Sequence, residues 1–144
     1  MKTIRWHLVM EGAGEYAAPF RTADDVSADL ARREVSTADR EQFVVYLLDA
    51  KHRPIAFETV SVGVLDGSLI HPREIFKTAI AGSAAAILLA HNHPSGDPTP
   101  SGQDREVTRR LREAGKLLGV PVVDHVIVSP SGDHFSFREG GDWT

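Results

Sequence analysis

His91, His93, Ser101 and Asp104 carry the strongest chemical signal in the chain, as His91-x-His93, seven intervening residues and then Ser101-x-x-Asp104. Residues two apart on a strand project from one face, so a strand ending in His91-Asn92-His93 brings both imidazoles to one point. Asp104 lies three residues before Val107 and seven before Leu111, on the apolar seam of the helix expected over about 101–118. A carboxylate on that seam faces the sheet rather than water. Two imidazoles and a carboxylate give a divalent metal three ligands and leave a fourth tetrahedral position open, as in catalytic zinc sites. Only one such convergent set is visible, so one Zn2+ per chain is expected. Cysteine is absent, which excludes disulfides, thiolate-bound zinc, iron–sulfur clusters and a thiol nucleophile.

Each part also has a purely structural explanation. A His-x-His pair alone fits a strand surface or a hydrogen-bonded core pair, and Asp97 in Ser-Gly-Asp-Pro fits a turn former. Ser101 with Asp104 has the spacing of a capping box. Thr99 followed by Pro100 is an equally good helix start, and that choice leaves Ser101 free. Two histidines, a proline-stiffened loop, a serine and a core-facing aspartate have no single structural explanation together.

Hydrolysis at such a site also needs a base for the water proton. Glu58 is the candidate, because it sits mid-strand on a face shared with Ala56, Val60 and Val62. A carboxylate pointing inward among apolar neighbours is costly unless it is functional or paired, and the alternative is an edge strand with the side chain in water. Glu74 is the rival, but its place in a helix first turn is explained by the helix dipole.

The elements that must position these groups are legible along the chain. Ile4, Trp6, Leu8 and Met10 alternate with Thr3, Arg5, His7 and Val9, predicting a first strand that Glu11–Gly14 ends. Thr22 and Asp25 suggest a capped helix over about 23–34. Phe43–Leu48 and Ile55–Val62 read as a hairpin, His71-Pro72 opens a short helix, and Gly82 closes it. Ala84–Ala90 is a buried central strand, and three prolines and a glycine make Pro94–Pro100 a stiff loop. Pro121–Ser129 and His134–Phe137 complete an α+β arrangement, a mixed sheet flanked by helices.

Glu58, His91-x-His93 and Ser101-x-x-Asp104 together resemble the JAMM motif of the MPN-domain metalloproteases. The fuller string Ala90–Ser101, with Thr59–Gly63, His71–Glu74 and Leu118–Val126, is similar to the bacterial RadC-like branch over about residues 22–139. The resemblance implies a curved mixed β-sheet packed between helices, in an MPN/JAMM-like (cytidine-deaminase-like) architecture. It implies zinc on His91, His93 and Asp104, Glu58 as general acid/base, and Ser101 as the hydrogen-bond donor to the tetrahedral oxyanion. The expected activity is zinc-dependent hydrolysis of amide bonds, peptide or isopeptide, on a protein or peptide substrate.

Longer RadC-like proteins carry a helix–hairpin–helix DNA-binding region before the matching part. Here about 20 residues precede it and read as a strand and loop, so residues 1–144 are expected to form one domain without that region. The family association with DNA repair is weakened accordingly. Net charge is -4, and the basic stripe Arg105, Arg109, Arg112 and Lys116 lies close to Glu106 and Glu113, so DNA binding is expected to be weak or absent. Two alternatives stay open: a DNA-associated or protein-binding scaffold with a zinc site, and metal-dependent phosphodiester hydrolysis on DNA. No run is long enough for a membrane span and no signal peptide is evident, so a cytoplasmic location is expected. Self-association through a free sheet edge at Met1–Met10 is a further expectation. His7, His52, His71, His125 and His134 are not expected to be primary ligands; Asp124-His125 could support a ligand or line the groove, with packing the favoured explanation.

Overall fold

A computed structural model describes residues 1–12, 17–63, 70–141 and 143. Its elements run α1 (Ala23–Arg32), β1 (Gln42–Leu48), β2 (Pro54–Val62), α2 (Pro72–Ala81), β3 (Ala86–Asn92), α3 (Gly102–Leu118), β4 (Val122–Val128) and β5 (His134–Ser136). The strands form one five-stranded sheet in the order β2-β1-β3-β4-β5. Only β3 and β4 pair in parallel among these neighbours, because α3 carries the chain back across the sheet between them.

Alternation along the central strands divides the apolar residues between two layers. Val44, Tyr46 and Leu48 of β1 and Leu88 and Ala90 of β3 face α1, where Val26 and Leu30 are buried. Phe43, Val45, Leu47, Ile87 and Leu89 face Ile75, Phe76 and Ala79 of α2 and Val107 and Leu111 of α3. β1 and β3 are buried along nearly their whole length, as strands covered on both faces must be. Helix α3 approaches closely at Gly115, where a Cβ would stand 2.5 Å from the Val120 carbonyl oxygen. It ends at Gly119, whose left-handed backbone (φ 72) accepts what a side chain resists.

Several expectations are corrected. Residues 1–12 form no strand, and Ile4, Trp6 and Leu8 are exposed at 80%, 64% and 45%. Alternation selects a face only where a neighbouring strand supplies the ladder, and this segment has none among the described residues. It is therefore no sheet edge; of the turn expected at Glu11–Gly14, Ala13 and Gly14 lie outside the described residues. The pairing of β1 with β2 slips between Phe43 and Val44, where Phe43 meets Ser61 and Val44 meets Thr59. That extra residue re-phases the strand, so Val62, paired with Gln42, leaves the face of Glu58 and is exposed. The α3 seam ends on buried Gly115, while Leu118 is half exposed, since a 3.6-residue turn drifts from the expected spacing.

Candidate metal centre

β3 and α3 bring the three expected ligands together. His91 is the sixth residue of β3, opposite Phe43 of β1, and His93 follows the strand's end, where its N–H is held by the Val128 carbonyl at 2.8 Å. Between them Asn92 points to the opposite face and is fully buried. Its Oδ1 accepts from Gln42 N–H at 2.6 Å, and its Nδ2 donates to the carbonyls of Ala38 and Arg40. The middle residue of His-x-His thus clamps the strand end that carries both rings.

Asp104 arrives from the first turn of α3. Ser101 is the helix N-cap: its Oγ accepts from Asp104 N–H at 3.1 Å, and Asp104 Oδ2 accepts from Ser101 N–H at 2.7 Å. The capping box is therefore Ser101–Asp104, and the expected Thr99 cap is not formed. Thr99 instead donates its N–H and hydroxyl to Asp97 Oδ1 at 3.0 and 2.7 Å. Capping leaves the Ser101 proton uncommitted, because its oxygen accepts there and does not donate. The same bond orients the Asp104 carboxylate, so structural and chemical roles coincide.

Asp104 Oδ1 lies 3.2 Å from His91 Nε2, Asp104 Oδ2 3.2 Å from His93 Nε2, and the two Nε2 atoms are 3.0 Å apart. His91 and Asp104 are buried, and His93 is mostly covered. Outer hydrogen bonds fix which nitrogen of each ring carries a proton. His93 Nδ1–H donates to the Asp97 carbonyl at 2.8 Å. The Thr108 hydroxyl donates to the Asp104 carbonyl at 2.6 Å, so its oxygen must accept from His125 Nδ1–H, also at 2.6 Å. His125 Nε2 is then an acceptor, and His91 Nδ1–H donates to it at 2.7 Å. With both rings neutral, the inward-facing Nε2 atoms present lone pairs toward a carboxylate. Three acceptors this close repel one another unless a positive charge lies among them. A metal-binding histidine characteristically donates its other N–H to such an outer partner. The buried His91, His93 and Asp104 group can hold a metal ion, and its nitrogen and oxygen donors suit a divalent cation.

The electrostatics agree. Burial raises the Asp104 carboxyl, yet the adjoining His91 and His93 and the Ser101 N–H outweigh it and hold it well below the usual carboxylate range, so the carboxylate is stabilised by positive charge placed beside it. Asp104 raises His93, with burial opposing it. Burial, and then the neighbouring His91, pushes His125 well below an ordinary imidazole, which keeps it neutral in the relay. Nothing in the sequence marks Thr108, and His125, for which packing is the favoured explanation by sequence, instead supports His91 from behind. Asp97, read as a turn former, also supplies the carbonyl that aligns His93.

Glu58 pairs with Val45, which on its other side pairs with Leu89, two residues before His91 on the same face. Strands are spaced about 4.8 Å apart, so Glu58 stands roughly 10 Å across the sheet from β3 on the triad's side. It is half-buried, and its carboxylate has no hydrogen bond or ion pair among the described residues. Glu74, in contrast, is exposed and paired with Lys77 at 2.9 Å. The other histidines lie elsewhere: His71 caps α2 by accepting from Arg73 N–H, and His134 lies 3.4 Å from Asp24.

Residues 20–142 match the RadC-like JAB domain family. The chain belongs to that family. It is 60% identical over 101 residues to a UPF0758 protein of Symbiobacterium thermophilum, covering 70% of this chain and 43% of the relative. Identity is 49% over 119 residues to a UPF0758 protein of Alkaliphilus metalliredigens, covering 83% and 50%. For a UPF0758 protein of Thermotoga maritima it is 53% over 110 residues, covering 76% and 49%. The chain thus spans about half the length of the curated relatives it matches. Its five-stranded mixed sheet and three helices are consistent with a JAB/MPN-like fold. No helix among the described residues is long and apolar enough to cross a membrane.

Proposed function

We propose that this RadC-like domain is a zinc-dependent hydrolase of amide bonds, peptide or isopeptide. The observation that carries the reading is the convergence of two imidazole lone pairs and one carboxylate with both ring N–H groups committed elsewhere. His91, His93 and Asp104 would hold one zinc ion. Zinc bound there supplies Lewis acidity toward a carbonyl and a water molecule. Glu58 takes a proton from the attacking water and returns it to the departing amine. Its half-buried carboxylate, with no partner among the described residues and on the triad's face, supports that role. Ser101 donates its uncommitted proton to the oxygen on which charge develops. A polypeptide substrate would approach on the side where His93 is partly exposed.

Glu58→Gln tests this reading, since it keeps size and removes proton acceptance. Zinc content should stay near one per chain, while cleavage of an accepted peptide falls by roughly 10²–10⁴-fold. Zinc content is read by elemental analysis, and cleavage from a peptide library with and without chelator. Loss of zinc in Glu58→Gln would make the glutamate a ligand and overturn the assignment. A wild-type protein that holds zinc and cleaves no peptide would be a binding scaffold instead.

A further inference from the structure

Beside the triad, on the other flank of α3, lies a cavity of about 500 Å³ whose walls include Arg105, Arg109, Arg112, Lys116, Glu113 and Phe137. That volume lies in the range of ligand sites. Arg112 and Lys116 add positive charge there beyond the Arg109–Glu106–Glu113 group, in a chain whose net charge is -4. The spacing of four, three and four residues lines these cations along one helix face.

The cations are not equivalent. Arg109 is neutralised from both sides, by Glu106 at 2.7 Å and Glu113 at 2.8 Å. Arg112 has its guanidinium 3.9 Å from the centre of the Trp143 ring, which holds the charge in place while its N–H edge stays available. Neither Arg112 nor Lys116 has an ion pair among the described residues. Glu106 and Glu113 interrupt the stripe at its middle and would repel an unbroken phosphodiester backbone. Discrete carboxylates, which guanidinium groups grip in bidentate fashion, suit the groove better.

The groove adjoins the chemistry. Thr108 lines it and also anchors His125, which carries His91, and Phe137 stacks on His125 with ring centres 5.0 Å apart. Arg112 and Lys116 lie eight and twelve residues along α3 from Asp104. At 1.5 Å per helical residue these are about 12 and 18 Å along the helix axis, so an extended peptide needs at least roughly four residues to reach from the triad to the groove.

We propose that this groove recognises acidic side chains of the polypeptide substrate, at positions at least about four residues to one side of the cleaved bond. The substrate class rests on the hydrolase reading above; binding in the groove does not require turnover.

The test is fluorescence anisotropy with labelled ten-residue Gly/Ser peptides carrying two glutamates, two glutamines or two lysines, on zinc-loaded protein. The glutamate peptide should bind about tenfold more tightly than the glutamine peptide, the lysine peptide weakest, with the preference shrinking between 50 and 300 mM NaCl. Lys116→Glu, on an exposed position, should weaken the glutamate peptide about fivefold without changing zinc content. Arg112→Glu should do the same, and Arg112→Lys should retain most of the binding, which separates charge recognition from loss of packing on Trp143. Equal binding of all three peptides, or indifference to Lys116→Glu, would overturn the proposal. So would a twelve-nucleotide oligothymidylate that binds more tightly than the glutamate peptide and is displaced by the same substitutions. Cleavage is read separately. Glutamate preference without cleavage of any peptide would leave the groove standing and remove the hydrolase reading; cleavage without charge preference would do the reverse.

Discussion

Two aspartates are buried in this molecule to nearly the same degree, Asp104 at 2% exposure and Asp124 at 3%, and their surroundings are opposite. Asp124, on β4, accepts from His125 N–H at 2.7 Å, Arg138 N–H at 3.0 Å and the Ser136 hydroxyl at 2.6 Å. All three are neutral donors, and those from Ser136 and Arg138 tie β4 to β5 and the segment after it. They do not fully offset desolvation, so burial leaves the Asp124 carboxyl above its ordinary range. Asp104 receives one backbone N–H and faces two imidazole nitrogens, and its carboxyl is held far below that range despite burial. A buried carboxylate complete with neutral donors is a structural joint. One that faces two imidazole nitrogens and is stabilised by positive charge beside it is half of a site for a cation.

Substituting asparagine at each position should separate the two roles. Asp104→Asn removes the one negative charge among the three ligands, so zinc per chain should fall from one toward zero in elemental analysis after dialysis, and peptide cleavage with it. Retention of stoichiometric zinc would erase the distinction drawn between the two aspartates. A smaller effect is expected one layer out. Thr108→Val deletes the oxygen that accepts from His125 Nδ1–H, and the relay to His91 loses its anchor. Zinc affinity, measured by competition with a chromophoric chelator, should drop by about 10–100-fold, as is typical for outer partners of metal ligands. An unchanged affinity would show that the ring of His91 is held by packing alone.

Asp124→Asn should change least. The amide still accepts from the two backbone N–H groups, and only the Ser136 hydroxyl loses its partner, at a cost of about 1 kcal/mol in denaturant unfolding with zinc content unchanged. The pH dependence has a definite sign. A carboxyl raised on folding contributes stability that is fully present below its unfolded pKa, about 3.9, and is lost as pH rises through the higher folded value. Asparagine does not titrate, so the variant's deficit should be largest in acid and narrow toward neutral pH. A deficit that instead widens toward neutral pH would place Asp124 among charge-bearing groups like Asp104.

Much of this contrast is legible in the residues, because it depends on local spacing. The apolar run before His91, the period-two pair His91 and His93, and the seam through Asp104, Val107 and Leu111 each fix a direction within one element. Features that depend on register between elements are not legible. The Thr108–His125 contact joins residues 17 apart and exists because β4 lies parallel to β3 with His125 opposite Leu89. The bulge that turns Val62 away from Glu58 is a property of the β1–β2 pair, not of either strand. Thr99 and Ser101 offered equal caps by type; the pull of Asp97 on Thr99 decides between them. The alternation of Ile4, Trp6, Leu8 and Met10 is a true strand pattern without a partner strand among the described residues.

The metal site depends on which nitrogen of each ring faces it, and long-range ¹⁵N–¹H correlation of the histidine side chains measures that directly. Chelator-treated protein is compared with protein carrying one equivalent of zinc. The arrangement predicts that zinc moves the Nε2 resonances of His91 and His93, while His125 keeps its proton on Nδ1 and its Nε2 shifts little. Zinc bound through Nδ1 of either ring, through His125, or with no change at His91 and His93 would contradict it.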